Sequence, residues 1–124
     1  MLTFICYPKC STCQKAKAYL DGRGVVYELR DIKSENPTYK ELKKLLAVSG
    51  LPVKKFFNTS GVLYKELQLK DKLPNMSEDD CLKLLATDGM LVKRPILIGP
   101  VFVCVGFKQD EWADVIDCAK TDKH

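Results

Sequence analysis

The chain has 124 residues and a mass of 14.0 kDa, with 46% hydrophobic and 29% charged residues. That composition excludes a disordered chain and predicts one globular domain, residues 1–124, able to bury roughly two thirds of its unfolded surface. Twenty basic against sixteen acidic residues give a formal charge of +4, but the lysines are scattered beside Asp and Glu with no basic stripe or interleaved aromatics, so direct nucleic-acid binding is not expected.

Leu2 to Cys6 (LTFIC) is a short apolar run of β-formers and reads as a buried strand. From about Ser11 to Leu20, Cys13, Ala16 and Leu20 recur at i, i+3 and i+7, one inward stripe of a helix that Gly22-Arg23-Gly24 ends. Val25 to Arg30 (VVYELR) alternates as a second strand. Strand, helix and strand in so short a stretch predict a parallel pair with a right-handed crossover. Asn36-Pro37 is expected to cap a helix over Thr38 to Val48, with Leu42, Leu45 and Leu46 on one face and Gly50 and Pro52 beyond its end.

Asn58-Thr59-Ser60-Gly61 reads as a turn and Val62 to Leu69 as a short helix. Ser77 opens another helix, with Asp80 three residues on and Cys81, Leu82, Leu84 and Leu85 packing inward until Asp88-Gly89. Pro95 to Ile98 and Val101 to Val105, joined at Gly99-Pro100, predict an antiparallel hairpin. A last helix, about Gln109 to Ala119, places Trp112, Val115, Ile116 and Ala119 on one face. The order implies an α/β fold: a four-stranded mixed sheet flanked by helices, with residues 1–32 and 94–120 as its core and 33–93 as a helical insertion between the second and third strands.

Six cysteines (Cys6, Cys10, Cys13, Cys81, Cys104, Cys118) are an even number and would suit a secreted disulfide framework. The residues before Tyr7-Pro8-Lys9 hold no basic n-region, long apolar segment or small-residue cleavage site, and no run reaches the roughly 20 apolar residues of a membrane span. A cytoplasmic chain with reduced cysteines and no membrane contact is the expectation.

Cys10-Ser11-Thr12-Cys13 is a C-x-x-C where the first strand gives way to the first helix. Positions i and i+3 of a helical turn lie about 5 to 6 Å apart, within the span of a disulfide, so one turn can hold the pair reduced or oxidised. At the helix N-terminus, unpaired N–H groups favour a thiolate, and Lys9 stands beside it. Cys10 is therefore the candidate nucleophile, and Cys13, on the inward stripe, the candidate resolving thiol.

A structural zinc site would need a second ligand pair, yet the remaining cysteines are isolated and the single histidine is His124. With Cys6 the spacing becomes C-x3-C-x2-C, like an iron–sulfur loop of radical-SAM enzymes, but those need a larger barrel, and Cys6 on a buried strand would point away. No metal is expected. An inert pair is the competing reading, and Cys81, Cys104 and Cys118, on apolar faces, are expected to pack in the core.

Lys93-Arg94-Pro95 opens the third strand. A proline there is a candidate for the cis form, which would turn Arg94 toward the site, where its guanidinium could hold a thiolate or an anionic substrate. An exposed strand-end arginine fits the bare spacing equally well.

The blocks YPKCSTCQKA, FFNTSG-x-LYKEL, LLATDGMLVKRPIL and VGFKQDEW, spread in order over nearly the whole chain, resemble the arsenate reductase family in its Spx/MgsR branch. The resemblance implies a thioredoxin-like fold with a helical insertion, a nucleophile at Cys10, and Arg94 before a cis-proline at Pro95. Lys9, Ser11, Thr12 and Pro95 are expected to face the substrate.

Glutathione-dependent members have a histidine near the nucleophile and two further arginines for the oxyanion. Here Tyr7-Pro8, Asn58, Val103-Cys104-Val105 and Phe107 supply none of these. Arsenate reduction is therefore expected to be weak. The expected function is thiol–disulfide oxidoreduction by a monomer on a disulfide or oxyanion substrate, with no bound cofactor and electrons from glutathione, glutaredoxin or thioredoxin. The alternative is an Spx-like redox-sensing regulator that binds the RNA polymerase α subunit.

Overall fold

The computed structural model describes residues 2–121, with side chains through Asp117. In chain order the regular elements are β1 (Leu2–Cys6), α1 (Ser11–Gly22), β2 (Tyr27–Asp31), α2 (Tyr39–Ser49), α3 (Val62–Glu66), α4 (Leu69–Lys72), α5 (Glu78–Leu85), β3 (Ile96–Ile98), β4 (Val103–Val105) and α6 (Gln109–Thr121). The chain divides into two compact units, Met1–Arg30 with Arg94–His124, and Asp31–Lys93.

The sheet is mixed, in the order β2-β1-β3-β4. β1 pairs antiparallel with β3, Phe4 opposite Leu97, and β3 antiparallel with β4, Leu97 opposite Cys104. That leaves β2–β1 as the parallel pair, with α1 as its crossover.

Alternation along β1 points Leu2, Phe4 and Cys6 to one face. There they pack with Cys13, Ala16 and Leu20 of α1, Leu97, Cys104, and Trp112 and Ile116 of α6. Trp112 is fully buried and its indole N–H donates to the Gly106 carbonyl at 3.1 Å, so its one polar atom is satisfied. Phe4 and Phe107 meet it edge-on, with ring centroids 6.0 and 4.9 Å away.

Two strands are shorter than their apolar runs. The Val25 N–H still donates to the Leu20 carbonyl at 3.2 Å as the chain leaves α1, so β2 pairing starts only at Tyr27 and Val26 is exposed. In the hairpin, Gly99 N–H donates to the Phe102 carbonyl at 2.9 Å, which closes the turn around Pro100 and Val101 and starts β4 at Val103. On α6, Trp112 and Ile116 are buried and Val115 half-buried, while the Ala119 side chain lies outside those described.

The second unit shows where a cap overrides a pattern. Thr38, not Asn36, caps α2: its hydroxyl accepts from Glu41 N–H at 3.2 Å while the Glu41 carboxylate accepts from Thr38 N–H at 3.0 Å. Asn36 instead donates its side-chain amide to the Ala86 carbonyl at 2.9 Å. The expected helix over Val62 to Leu69 is two pieces, α3 and α4, parted at Gln68, whose φ is +54°.

Ser77 does cap α5, accepting from Asp80 N–H at 3.1 Å. The helix stops at Leu85 because Asp88 caps a separate 3₁₀ turn, Gly89–Leu91, by accepting from Met90 N–H at 2.8 Å. Leu84, expected inward, flanks the buried stripe of Cys81, Leu82 and Leu85 and is half-buried. Only glycine fits at 89, since a Cβ there would stand 1.8 Å from the Ile32 carbonyl oxygen.

Candidate active site

β1 ends at Cys6, and the chain turns through Tyr7–Lys9 so that Cys10 N–H donates to the Tyr7 carbonyl at 2.9 Å. Cys10 is thereby the extended N-cap of α1, with φ −85° and ψ 125°, and its carbonyl accepts from Gln14 N–H at 3.0 Å. Its thiol stands where the unpaired first-turn N–H groups converge. Burial alone would raise the Cys10 pKa, but the nearby Cys13 N–H and thiol, the Arg94 guanidinium and the Thr12 N–H favour the charged sulfur and hold it below the ordinary cysteine value.

Cys13 behaves in the opposite way. It is 1% exposed, and burial pushes its thiol up to about 12, against the Tyr7 N–H that donates to its Sγ at 3.3 Å. Negative charge at Cys10 and at Cys6 adds to that rise. One helical turn thus carries a thiolate-favouring sulfur at its start and a proton-holding sulfur three residues on.

Arg94 enters β3 through a cis bond to Pro95. Of the two readings open from spacing alone, the structure selects the inward one: the guanidinium lies over the Tyr7 ring, 5.1 Å from its centroid, and is near enough to Cys10 to lower its pKa. Its Nε and Nη1 atoms are buried without a hydrogen-bond partner. Pro95 is buried, and its carbonyl accepts from Gly106 N–H at 2.8 Å. Lys9, Ser11 and Thr12 are exposed around Cys10; Thr12 reaches the thiol through its backbone, and Lys9 is not among the main groups that lower the Cys10 pKa.

Cys6 corrects an expectation. It does not point away from the pair but is buried in the same cluster as Cys13, because the alternation that buries Leu2 and Phe4 also turns residue 6 toward α1. Cys81 and Cys104 are buried, the latter pushed up to about 12 by burial with Glu111 adding. The Cys118 side chain and His124 lie outside what is described. Among the described residues, no group of three or more His, Cys, Asp or Glu is arranged to hold a metal ion, and no helix is long and apolar enough to cross a membrane.

The mixed four-stranded sheet with its flanking helices, and a C-x-x-C at the start of the crossover helix, define a thioredoxin-like protein. A model of the ArsC family matches residues 6–115, and the chain belongs to that family. It is 52% identical over 113 residues to the uncharacterized protein YusI of Bacillus subtilis, covering 91% of this chain and 96% of that one. It is 32% identical to the global transcriptional regulator Spx of Enterococcus faecalis, covering 90% and 83%, and 30% identical to the regulatory protein MgsR of B. subtilis, covering 89% and 86%. An ArsC family related protein from Bacteroides fragilis superposes with a TM-score of 0.90 at 56% identity, covering 91% and 95%. The arsenate reductase from Vibrio cholerae does so with 0.74 at 28%, covering 82% and 86%.

Proposed function

We propose that the protein is a thiol–disulfide oxidoreductase acting through Cys10 and Cys13. The observation that carries this reading is the placement of Cys10 as N-cap of α1 with Arg94 near enough to favour its thiolate. The Cys10 thiolate attacks one sulfur of a substrate disulfide, forming a mixed disulfide and expelling the other sulfur as a thiol. Cys13 gives up its proton and attacks the Cys10 sulfur. The Cys10–Cys13 bond forms, the second substrate thiol leaves, and two electrons have passed to the substrate. Glutathione, glutaredoxin or thioredoxin returns the pair to dithiol, with no bound cofactor, in a reducing compartment such as the cytoplasm.

The high thiol of Cys13 suits this order, because it holds its proton until the mixed disulfide removes the Cys10 charge that opposes its ionisation. The two unpartnered Arg94 nitrogens favour substrates with an anionic group beside the sulfur, since an unmatched buried donor costs about 1–3 kcal/mol. They also support weak arsenate reduction, with one arginine in place of several.

Replacing Cys10 by Ser should abolish reduction of a small aromatic disulfide by the chain with glutathione, whereas Cys13→Ser should accumulate mixed disulfides visible by intact mass. Equal turnover by both variants and wild type would sink the reading. The identity to Spx and MgsR favours a second one, a redox-controlled regulator that binds the RNA polymerase α subunit. Capture of that subunit's C-terminal domain by only one redox state of the chain would establish it.

A further inference from the structure

We propose that Cys6 is a second resolving thiol: it takes Cys13 from the Cys10–Cys13 disulfide, so that the oxidation is stored as a buried Cys6–Cys13 bond and Cys10 is released as a reactive thiolate. This inference rests on the C-x-x-C reading above and extends it to a thiol that reading leaves unused. Cys6 and Cys13 share one buried cluster, at 4% and 1% exposure. The amide that touches the Cys13 sulfur, at 3.3 Å, belongs to Tyr7, the residue joined directly to Cys6.

Standard bond lengths put the Tyr7 nitrogen about 2.4 Å from the Cys6 Cα, so the Cys13 sulfur lies no more than about 5.7 Å from that carbon; a Cys6 side chain and one S–S bond reach about 4.5 Å, so the bond needs at most about an ångström of local movement. A charge on Cys6 would be felt at Cys13, raising its thiol further. Cys13 thus shares its buried cluster with Cys6, at the end of β1, and is one helical turn from Cys10, at the start of α1.

The step is an exchange with no net redox change. The Cys6 thiol loses its proton and attacks the Cys13 sulfur; the Cys6–Cys13 bond forms, the Cys10–Cys13 bond breaks, and the bonding electron pair leaves on Cys10. Direction follows from the leaving group. Thiol–disulfide exchange favours expulsion of the sulfur best stabilised as thiolate, and Cys10 has the helix-start N–H groups and Arg94 to hold its charge. The oxidised protein then keeps a nucleophilic Cys10 available to a second disulfide or to glutathione, while its stored disulfide is shielded from external thiols and is reduced only by return through Cys10.

Lys9 makes the exchange readable, because tryptic cleavage after it separates Cys6 from a peptide that carries both Cys10 and Cys13. The full-length chain is oxidised with one equivalent of diamide, alkylated under native conditions with iodoacetamide, and digested. The expected product is a cross-linked pair of peptides, Met1–Lys9 joined to Cys10–Lys15, with Cys10 alkylated, in at least about a tenth of the oxidised protein. Oxidised wild type that holds only the internal Cys10–Cys13 bond, with Cys6 recovered as thiol, overturns the proposal and leaves the oxidoreductase reading standing. Absence of any disulfide among the three overturns both. In Cys6→Val the alkylatable Cys10 of the oxidised form should disappear; if that variant does not fold, the wild-type map decides by itself.

Discussion

At the residue scale the site is a competition over protons. Burial raises both Cys10 and Cys13, and the donor groups around Cys10, helix-start N–H groups and the Arg94 guanidinium, reverse the effect for Cys10 alone. Arg94 is the one full positive charge among those donors. Arg94→Ala should therefore move the 240 nm thiolate absorbance of Cys10 to higher pH and slow its alkylation near pH 6.5 about tenfold, the equivalent of about 1.4 kcal/mol. Arg94→Lys should recover part of that loss, because a point charge returns without the planar fork. Unchanged alkylation in Arg94→Ala would remove the guanidinium from the account. The nucleophile candidate was legible because its position depends on two local features, the end of an apolar run and the start of a helical stripe. The inward turn of Arg94 and the shared burial of Cys6 and Cys13 were not, since both depend on which strands lie side by side.

At the scale of elements, caps and turn hydrogen bonds set boundaries that periodicity left loose. The reciprocal bonds of Thr38 and Glu41 fix the start of α2, and the left-handed Gly50, with φ +68°, ends it. Thr38→Ala removes one acceptor and should lower unfolding stability by about 1 kcal/mol in urea titrations. Asn36→Ala should act through its bond to the Ala86 carbonyl and leave that cap intact. If Asn36 rather than Thr38 capped the helix, helix content by circular dichroism would respond in the reverse order. The buried stripes Cys13–Ala16–Leu20 and Leu42–Leu45–Leu46 follow the 3.6-residue period as expected. The break at Gln68 and the 3₁₀ turns at Val53–Phe56, Leu73–Asn75 and Gly89–Leu91 do not, because in such short segments local turn bonds outweigh the weak helical preference.

For the whole molecule, the buried thiols couple stability to pH. Cys13 and Cys104 hold their protons to about 12, whereas in the unfolded chain such thiols ionise near 8.5. Between those values the folded state binds more protons than the unfolded one, so stability falls as pH rises, by up to about 1.4 kcal/mol per pH unit for each thiol. Cys10 has the opposite sign: its lowered pKa adds stability as pH rises toward the unfolded value, and above that value its contribution no longer changes. Urea midpoints should therefore drop from pH 9 to pH 10.5, and Cys104→Val should flatten the drop; parallel curves for variant and wild type would contradict the assignment. Strand and helix periods, the C-x-x-C and four ordered sequence blocks were enough for the sheet, the family resemblance and the choice of the candidate pair, because each is carried by neighbours in the chain. Which residues surround that pair, Arg94 from the start of β3 and Cys6 from the end of β1, was decided only by tertiary contact. Charge stabilisation and thiol exchange act through space over a few ångströms, a distance that sequence separation does not report.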